Sequence, residues 1–286
     1  MNYPTISIIF PNYNGKQDAL EFIASVFKSD YPQNKIEIIM IDNGSTDGSA
    51  GAVAKKYPQV KVIRLEENLG PGVARNEGIK NARKEIIFLA DNDSKLESTT
   101  LKIMTSYLSS HPEINILGPK ILHVKPKGEL VSCGFYWNRW LAIESGKRKP
   151  NIDKDVDWVA CCALMIRKKD LEKIGLFDRR FFLFAEDADF CLRAKKMGFK
   201  VRSTPSAIVY HDRSTPPIFT PQQDYYNYYY SKFLLIFKYS SSLQILFTLP
   251  VHLLLFTMAN VLRGNREYPI LKIKSFLQAL YCCYRV

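Results

Sequence analysis

Two aspartates, Asp91 and Asp93, close an apolar run in the stretch IIFLADND, with Asn92 between them. Side chains at i and i+2 of an extended segment face the same side, so the two carboxylates converge while Asn92 points away. Paired hard oxygen ligands at a strand end suit Mg²⁺ or Mn²⁺, ions that share their remaining positions with substrate phosphates. A polar turn is the competing reading, because Asp and Asn are common turn formers. Further on, AEDADFCLR crowds Glu186, Asp187 and Asp189 into the first turn of a predicted helix. Acids there favour the helix dipole. One ionised carboxylate among them can also act as a general base toward an attacking hydroxyl. His211 directly follows the apolar AIVY, where a neutral imidazole could complete a divalent-metal site.

The elements that would position these groups alternate along the first half of the chain. TISIIF, IEIIMI, VKVIRL and EIIFLA are short β-rich runs, each followed by a helix-like stretch. Near-continuous apolar strands alternating with helices predict a largely parallel sheet covered on both faces. Ligands of such sheets sit beyond the carboxyl ends of the strands. The loop after the first strand, FPNYNG, offers Pro11, Tyr13 and Asn14, which could stack on and hydrogen-bond a base, or simply turn the chain. After the second, Asp42 is placed to accept hydrogen bonds from a base or ribose, and Asp47 to cap the next helix. After the third, Gly70 and Gly72 open a helix whose backbone amides attract phosphate. Arg75, one turn on, either faces a diphosphate or is solvated. Neither the dinucleotide fingerprint nor a GxxxxGK[ST] loop is present.

The second half is less regular. LVSCGFYW reads as a strand, WVACCALMI as another, and KVRSTPSAIVYH as a final pair of short strands. RKKDLEKIG reads as a helix closed by Gly175. The net charge is +12, which suits anionic partners: phosphates, nucleic acid or an anionic membrane face. From Thr215 onward the only acids are Asp224 and Glu267, against seven lysines and arginines. The same tail holds about twenty mostly apolar residues at 243–262, interrupted by Gln244, Pro250, His252 and Asn260. A basic, apolar tail suits a membrane surface, with this segment lying in the interface or re-entering rather than spanning. A helical hairpin buried against the rest of the protein is the competing reading. The six cysteines show no CxxC spacing, and no signal peptide is evident, which together lead to the expectation of a reduced, cytosolic setting.

SIIFPNYNG, IIMIDNGSTDGS, ENLGPGVARNEGIKNARKEIIFLADND, the stretch from WVACCALMI through AEDADFCLRAKKMGFKV, and AIVYH occur in order over roughly residues 4–212. In this combination the chain resembles the family 2 glycosyltransferases of the GT-A fold, in the rhamnosyl- and galactofuranosyltransferase-like branch. The resemblance implies an α/β fold with a nucleotide-binding, Rossmann-like, mixed and mostly parallel sheet flanked by helices, followed by a helical, membrane-associated tail. Residues 1–214 would be the catalytic domain, with a nucleotide-sugar half (about 1–110) and an acceptor half (111–214); residues 215–286 would be the tail.

Residue by residue, the resemblance implies that Pro11, Tyr13, Asn14 and Asp42 line the base and ribose, with Gly70 and Arg75 on the donor side. Asp91, Asn92 and Asp93 match the DxD motif, with Asp93, Asp91 and His211 holding Mg²⁺ or Mn²⁺. Asp187 matches the catalytic base and Glu186 its neighbour, and Trp158 borders the acceptor pocket. The implied reaction is inverting transfer from a nucleotide-diphosphate sugar to a glycan or lipid-linked acceptor at the cytoplasmic membrane face, in surface-polysaccharide synthesis. The rivals are a catalytically silent sugar-nucleotide or glycan-binding module and a sugar-phosphate nucleotidyltransferase. The latter needs a glycine-rich first loop, which FPNYNG does not supply. Nucleic-acid binding ranks last, because the basic and aromatic residues cluster with an apolar tail.

Overall fold

The computed structural model describes residues 3–124, 126–138, 140, 143–146, 151–212, 219–255 and 267–284. The first half is a parallel sheet. Strands β1 (Ile6–Asn12), β2 (Ile36–Asn43), β3 (Lys61–Leu65) and β4 (Ile86–Ala90) lie in the order β3-β2-β1-β4. β1 and β4 are buried along their whole length, as strands covered on both faces must be. The connecting helices are α1 (Lys16–Phe27), α2 (Ser49–Lys56) and α3 (Pro71–Asn81). α1 packs through Ala19, Phe22, Ile23 and Val26, the i, i+3, i+4, i+7 stripe of an amphipathic helix. α3 lies closer to the sheet: a Cβ on Gly78 would stand 2.2 Å from Ile9 Cγ2.

The second half extends the same sheet. In chain order come β5 (Ser94–Leu96), α4 (Thr100–Ser110), β6 (Ile114–His123), β7 (Leu130–Ser132), β8 (Tyr136–Asn138), β9 (Ile143–Ser145) and β10 (Lys154–Asp155). β11 (Ala163–Arg167), α5 (Lys168–Ile174), α6 (Glu186–Lys196) and β12 (Lys200–His211) follow. β11 inserts antiparallel between β4 and β6, and β12 runs parallel to β6, so the sheet is mixed. β5 turns back from the end of β4 and pairs antiparallel with the end of β12, matching Ser94 to His211. This pairing brings residues 91–93 and 211 together.

Three local expectations differ. Residues 200–211 form one strand, not two; residues 205–207 are accommodated as an irregularity between Thr204 and Ile208, where Pro205 needs no ladder donor. The strand expected at 158–166 begins only at Ala163, and Trp158 pairs with Phe135 in an isolated bridge outside the named strands. LVSCGFYW divides into β7 and β8 around Gly134, whose φ of +80° a side chain would resist.

The chain continues into α7 (Pro221–Tyr239), α8 (Ser242–Pro250), a π-helical turn (Val251–Leu255) and α9 (Glu267–Tyr284). α7 opens with a reciprocal cap between Thr220 and Gln223. α7 and α9 pair as a hairpin, with Tyr225 stacked on Tyr268 and Phe233 edge-on to Phe276. Phe233, Leu234, Leu235 and Ile236 are buried in the same apolar core as Leu164, Phe181 and Phe190. Within the tail expected at a membrane surface, α7 thus packs on the rest of the protein. No helix among the described residues is long and apolar enough to cross a membrane. The segment expected at 243–262 breaks at Pro250, and residues 256–262 lie outside the described residues.

Candidate active site

A cleft of about 740 Å³ opens beyond the carboxyl ends of β1 and β4. At its centre, His211 Nε2 stands 3.1 Å from Asp93 Oδ1 and 3.6 Å from Asp91 Oδ2. The two carboxylates therefore converge, as the i, i+2 spacing requires. Asn92 turns the other way, donating to Asn12 Oδ1 at 2.8 Å and tying the β4 loop to the β1 loop. The other ligand-like group among the described residues is Cys162: its thiol, the Asp91 carboxylate and the His211 ring offer atoms within 4.8 Å of one another.

The electrostatics of this cluster are those of a cation site. Burial opposes the charge on Asp91, but the Arg75 guanidinium and His211 outweigh it and hold the carboxyl down at about 2. Burial likewise opposes charge on His211, yet hydrogen bonds to Asp91 and Asp93 push its pKa up to about 10. A proton on the ring thus supplies positive charge that two converging carboxylates call for. Burial pushes the Cys162 thiol well up, which keeps it protonated and a poor ligand. Once a divalent cation takes the place of that ring proton, the donor set would be two hard carboxylates and a neutral imidazole, which fits Mg²⁺ or Mn²⁺.

Arg75 is neither solvated nor turned toward open solvent. It is 2% exposed and clamps two carboxylates: Nη2 donates to Asp91 and Nη1 to Glu186 Oε1 at 3.0 Å. Its helix begins at Gly70, where φ is +83° and a Cβ would stand 2.1 Å from the Phe182 carbonyl oxygen. Only glycine lets the β3–α3 loop pass that close to the segment leading into α6.

That segment ends in two non-glycine residues in the left-handed region, Phe184 (φ 66°) and Ala185 (φ 61°). Such a pair costs on the order of 1–3 kcal/mol per residue and persists where surrounding structure imposes it. It sets Glu186 and Asp187 at the first turn of α6, facing the cleft. Asp187 Oδ1 accepts from the Ala188 amide at 2.7 Å. Burial, and then the neighbouring Glu186 charge, push its carboxyl up to about 8. The third acid, Asp189, faces away: it is fully buried and holds Lys238 (2.5 Å), Tyr239 Oη (2.8 Å) and Arg193 (3.0 Å). It ties α6 to α7, so that of the three acids Asp187 alone makes no ion pair among the described residues.

Pro11, Tyr13, Asn14, Gly70, Arg75, Asp91, Asn92, Asp93, Trp158, Glu186, Asp187 and His211 all line this one cleft. Asp42 does not. It is fully buried; Oδ1 accepts from the Ser45 amide at 3.3 Å, and Oδ2 has no hydrogen-bond partner, with Arg64 Nε 3.5 Å away. The next residue, Asn43, reaches the cleft, bonded to Asn68 at 2.8 Å and to the Leu69 amide at 3.0 Å. Asp47 is not the expected cap of α2, whose N-cap is Gly48 with no side-chain cap; one residue earlier, it accepts from the Ser49 amide and from the Lys16 amide at the start of α1. Trp158 stacks on Phe135 with centroids 5.2 Å apart, forming an aromatic wall. Glu144 and Lys232 also line the cleft, and nothing in the sequence had singled them out. Isolated charges in irregular or tail segments carry no local signal.

Comparisons with known proteins agree with this geometry. The model of "Glycosyl transferase family 2" matches residues 7–175, more than half of the chain. The chain is 25% identical over 236 residues to an N-acetylglucosaminyl-diphospho-decaprenol L-rhamnosyltransferase of Mycobacterium tuberculosis, covering 73% of this chain and 76% of that protein. The fold is similar to that of Staphylococcus aureus TarS 1–349 in complex with UDP-GlcNAc, with a TM-score of 0.66 and 21% identity, covering 96% of this chain and 81% of that one. In a longer TarS structure the chain spans 39% of the length. It is also similar to a Pyrobaculum calidifontis mannosyltransferase in complex with GDP-Man and Mn²⁺, at a TM-score of 0.59 and 17% identity, covering 98% and 76% of the two chains. The mixed sheet and flanking helices are those of the GT-A fold, and the chain belongs to glycosyl transferase family 2.

Proposed function

We propose that the chain is a metal-dependent, inverting glycosyltransferase. It takes a sugar from a nucleotide-diphosphate donor and joins it to a hydroxyl of a glycan or lipid-linked acceptor, in the assembly of a cell-surface polysaccharide. The observation that carries this reading is one cleft lined both by the Asp91–Asp93–His211 cluster and by a half-buried Asp187 that makes no ion pair among the described residues. A divalent cation held by Asp93, Asp91 and His211 would supply positive charge for a diphosphate leaving group. The strand-end loops at Pro11–Asn14 and Asn43 bind and orient the nucleotide. Asp187 takes the proton from the acceptor hydroxyl as that oxygen attacks the anomeric carbon. Attack from the face opposite the leaving group inverts the centre. Arg75 keeps Glu186 and Asp91 in register, so base and cation side move as one unit. Trp158 and Phe135 give the acceptor ring an apolar wall that excludes water.

Work at the cytoplasmic face of a membrane belongs to the same reading. α9 carries Ile270, Ile273, Leu277 and Tyr281, each at least half exposed, along one stripe beside Lys274. Such a face suits the interface of an anionic bilayer. Sedimentation with anionic vesicles, set against neutral ones, tests it.

The test of the activity is Asp187→Asn. The variant is expected to bind the nucleotide sugar with affinity near that of the wild type and to lose transfer by about 10²–10⁴-fold, the usual worth of a general base. Full transfer by the variant contradicts the assignment.

A further inference from the structure

The cationic side chains lining the cleft differ in one respect. Arg75 is matched by Asp91 and Glu186, and His211 by Asp91 and Asp93. Lys238, on α7 but outside the cleft, is matched by Asp178 and Asp189. Lys232, also on α7, makes no ion pair among the described residues although it is only 9% exposed. Its ammonium lies 3.4 Å from Tyr228 Oη and 5.4 Å from the centre of that ring. Tyr228, Lys232 and Leu235, at i, i+4 and i+7, present one face of α7 to the cleft. Burial pushes Lys232 below its ordinary pKa, with Glu144 only partly countering. Lys272, fully buried with Nζ 4.2 Å from the Tyr229 ring centre, lies within electrostatic reach of Lys232, and burial first and then the Lys232 charge hold its pKa down at about 7.

An ammonium this buried, with Glu144 in electrostatic reach but no carboxylate within ion-pair distance among the described residues, is costly unless a ligand brings the anion. Lys232 stands beside Tyr228, which packs edge-on to Phe184, and within electrostatic reach of Glu144, whose charge also reaches Asp187. The geometry points to Lys232 as the residue that binds a phosphate group of the acceptor, an assignment that rests on the transferase reading above. The substrate class is then a phosphate-bearing acceptor, its anion seated on α7 and its hydroxyl presented to Asp187. The phosphate has two chemical sources: the diphosphate of a polyprenyl-linked sugar, or the phosphodiester of a polyol-phosphate polymer.

The experiment uses the full chain and calorimetric binding of four probes: a short-chain prenyl diphosphate sugar, a short polyol-phosphate oligomer, and the dephosphorylated counterpart of each. The wild type is expected to bind one phosphorylated probe at least about tenfold more tightly than its neutral counterpart, the scale of one charge-assisted contact. Which probe does so identifies the source. Lys232→Met is expected to collapse that preference to within about threefold, and Lys232→Arg to keep it. A preference retained in Lys232→Met, or absent from the wild type, overturns the assignment. So does a Lys232→Met variant whose loss falls on nucleoside diphosphate instead of on acceptor. Retained binding of the neutral probes shows that the variant is folded. Failure of the transferase reading is seen separately, as no transfer to any acceptor by a wild type that still binds the phosphorylated probe.

Discussion

Removing the Arg75 clamp is the most demanding perturbation of this architecture. Arg75→Met keeps the length and the apolar stem of the side chain but deletes the fork between Asp91 and Glu186. Breaking a buried ion pair from one side costs about 3–5 kcal/mol, because the carboxylates are left uncompensated. At about 2–4 °C per kcal/mol for a domain of this size, the midpoint falls by roughly 6–20 °C. The deficit also depends on pH. Burial already holds the Glu186 carboxyl above its ordinary pKa, and Arg75 pulls against that rise. Without Arg75 it rises further. A folded pKa above the unfolded one means stability that is present at low pH and lost as pH climbs through the folded value. Arg75→Met is therefore worse at pH 8 than at pH 5, by about 1.4 kcal/mol for each unit of added shift. Urea denaturation of both proteins at both pH values measures it. A deficit under about 1 kcal/mol at both, or one that shrinks as pH rises, refutes the reasoning.

Other outcomes follow from the same geometry. Because Asp187 must be ionised to act as base and is pushed up to about 8, kcat/KM for transfer climbs tenfold per pH unit below that point and levels above it; a profile already flat from pH 5 contradicts the role. Gly70→Ala combines a positive φ with a Cβ 2.1 Å from the Phe182 carbonyl, so it costs at least about 1–3 kcal/mol in chemical denaturation. Asp189→Ala leaves Lys238 with Asp178 alone, breaks the Arg193 pair and frees Tyr239, loosening α7 from α6; a stability loss of about 3–5 kcal/mol is expected from thermal melts.

Much of the site was legible because strand alternation and the carboxyl-end rule place loops before any contact is known. Asp91, Asp93, His211, Glu186 and Asp187 could be gathered from spacing and resemblance, and the structure sets them in one cleft. Asp42 does not line the cleft: along a strand end, successive side chains face opposite ways, and Asn43 is the one that reaches it. The burial of Arg75 was not legible, since an arginine one turn into a helix has no local signal that two distant acids will enclose it. The tail shows a related limit. An apolar face that packs on protein and one that packs on lipid have the same periodicity, so α7 read as membrane-like although Phe233–Ile236 fill the core. Residues 205–207 read as a break because proline ends ladders, yet the sheet absorbs them as a bulge.

The central claim is that Asp91, Asp93 and His211 hold a divalent cation against a nucleotide diphosphate. Calorimetric titration of a panel of nucleoside diphosphates, with Mn²⁺ and with chelator, tests it most directly. At least one nucleotide should bind the wild type about tenfold or more tightly with Mn²⁺, and Asp93→Ala should abolish that gain. Equal affinity with and without the ion, or a full Mn²⁺ effect retained in Asp93→Ala, would contradict the account.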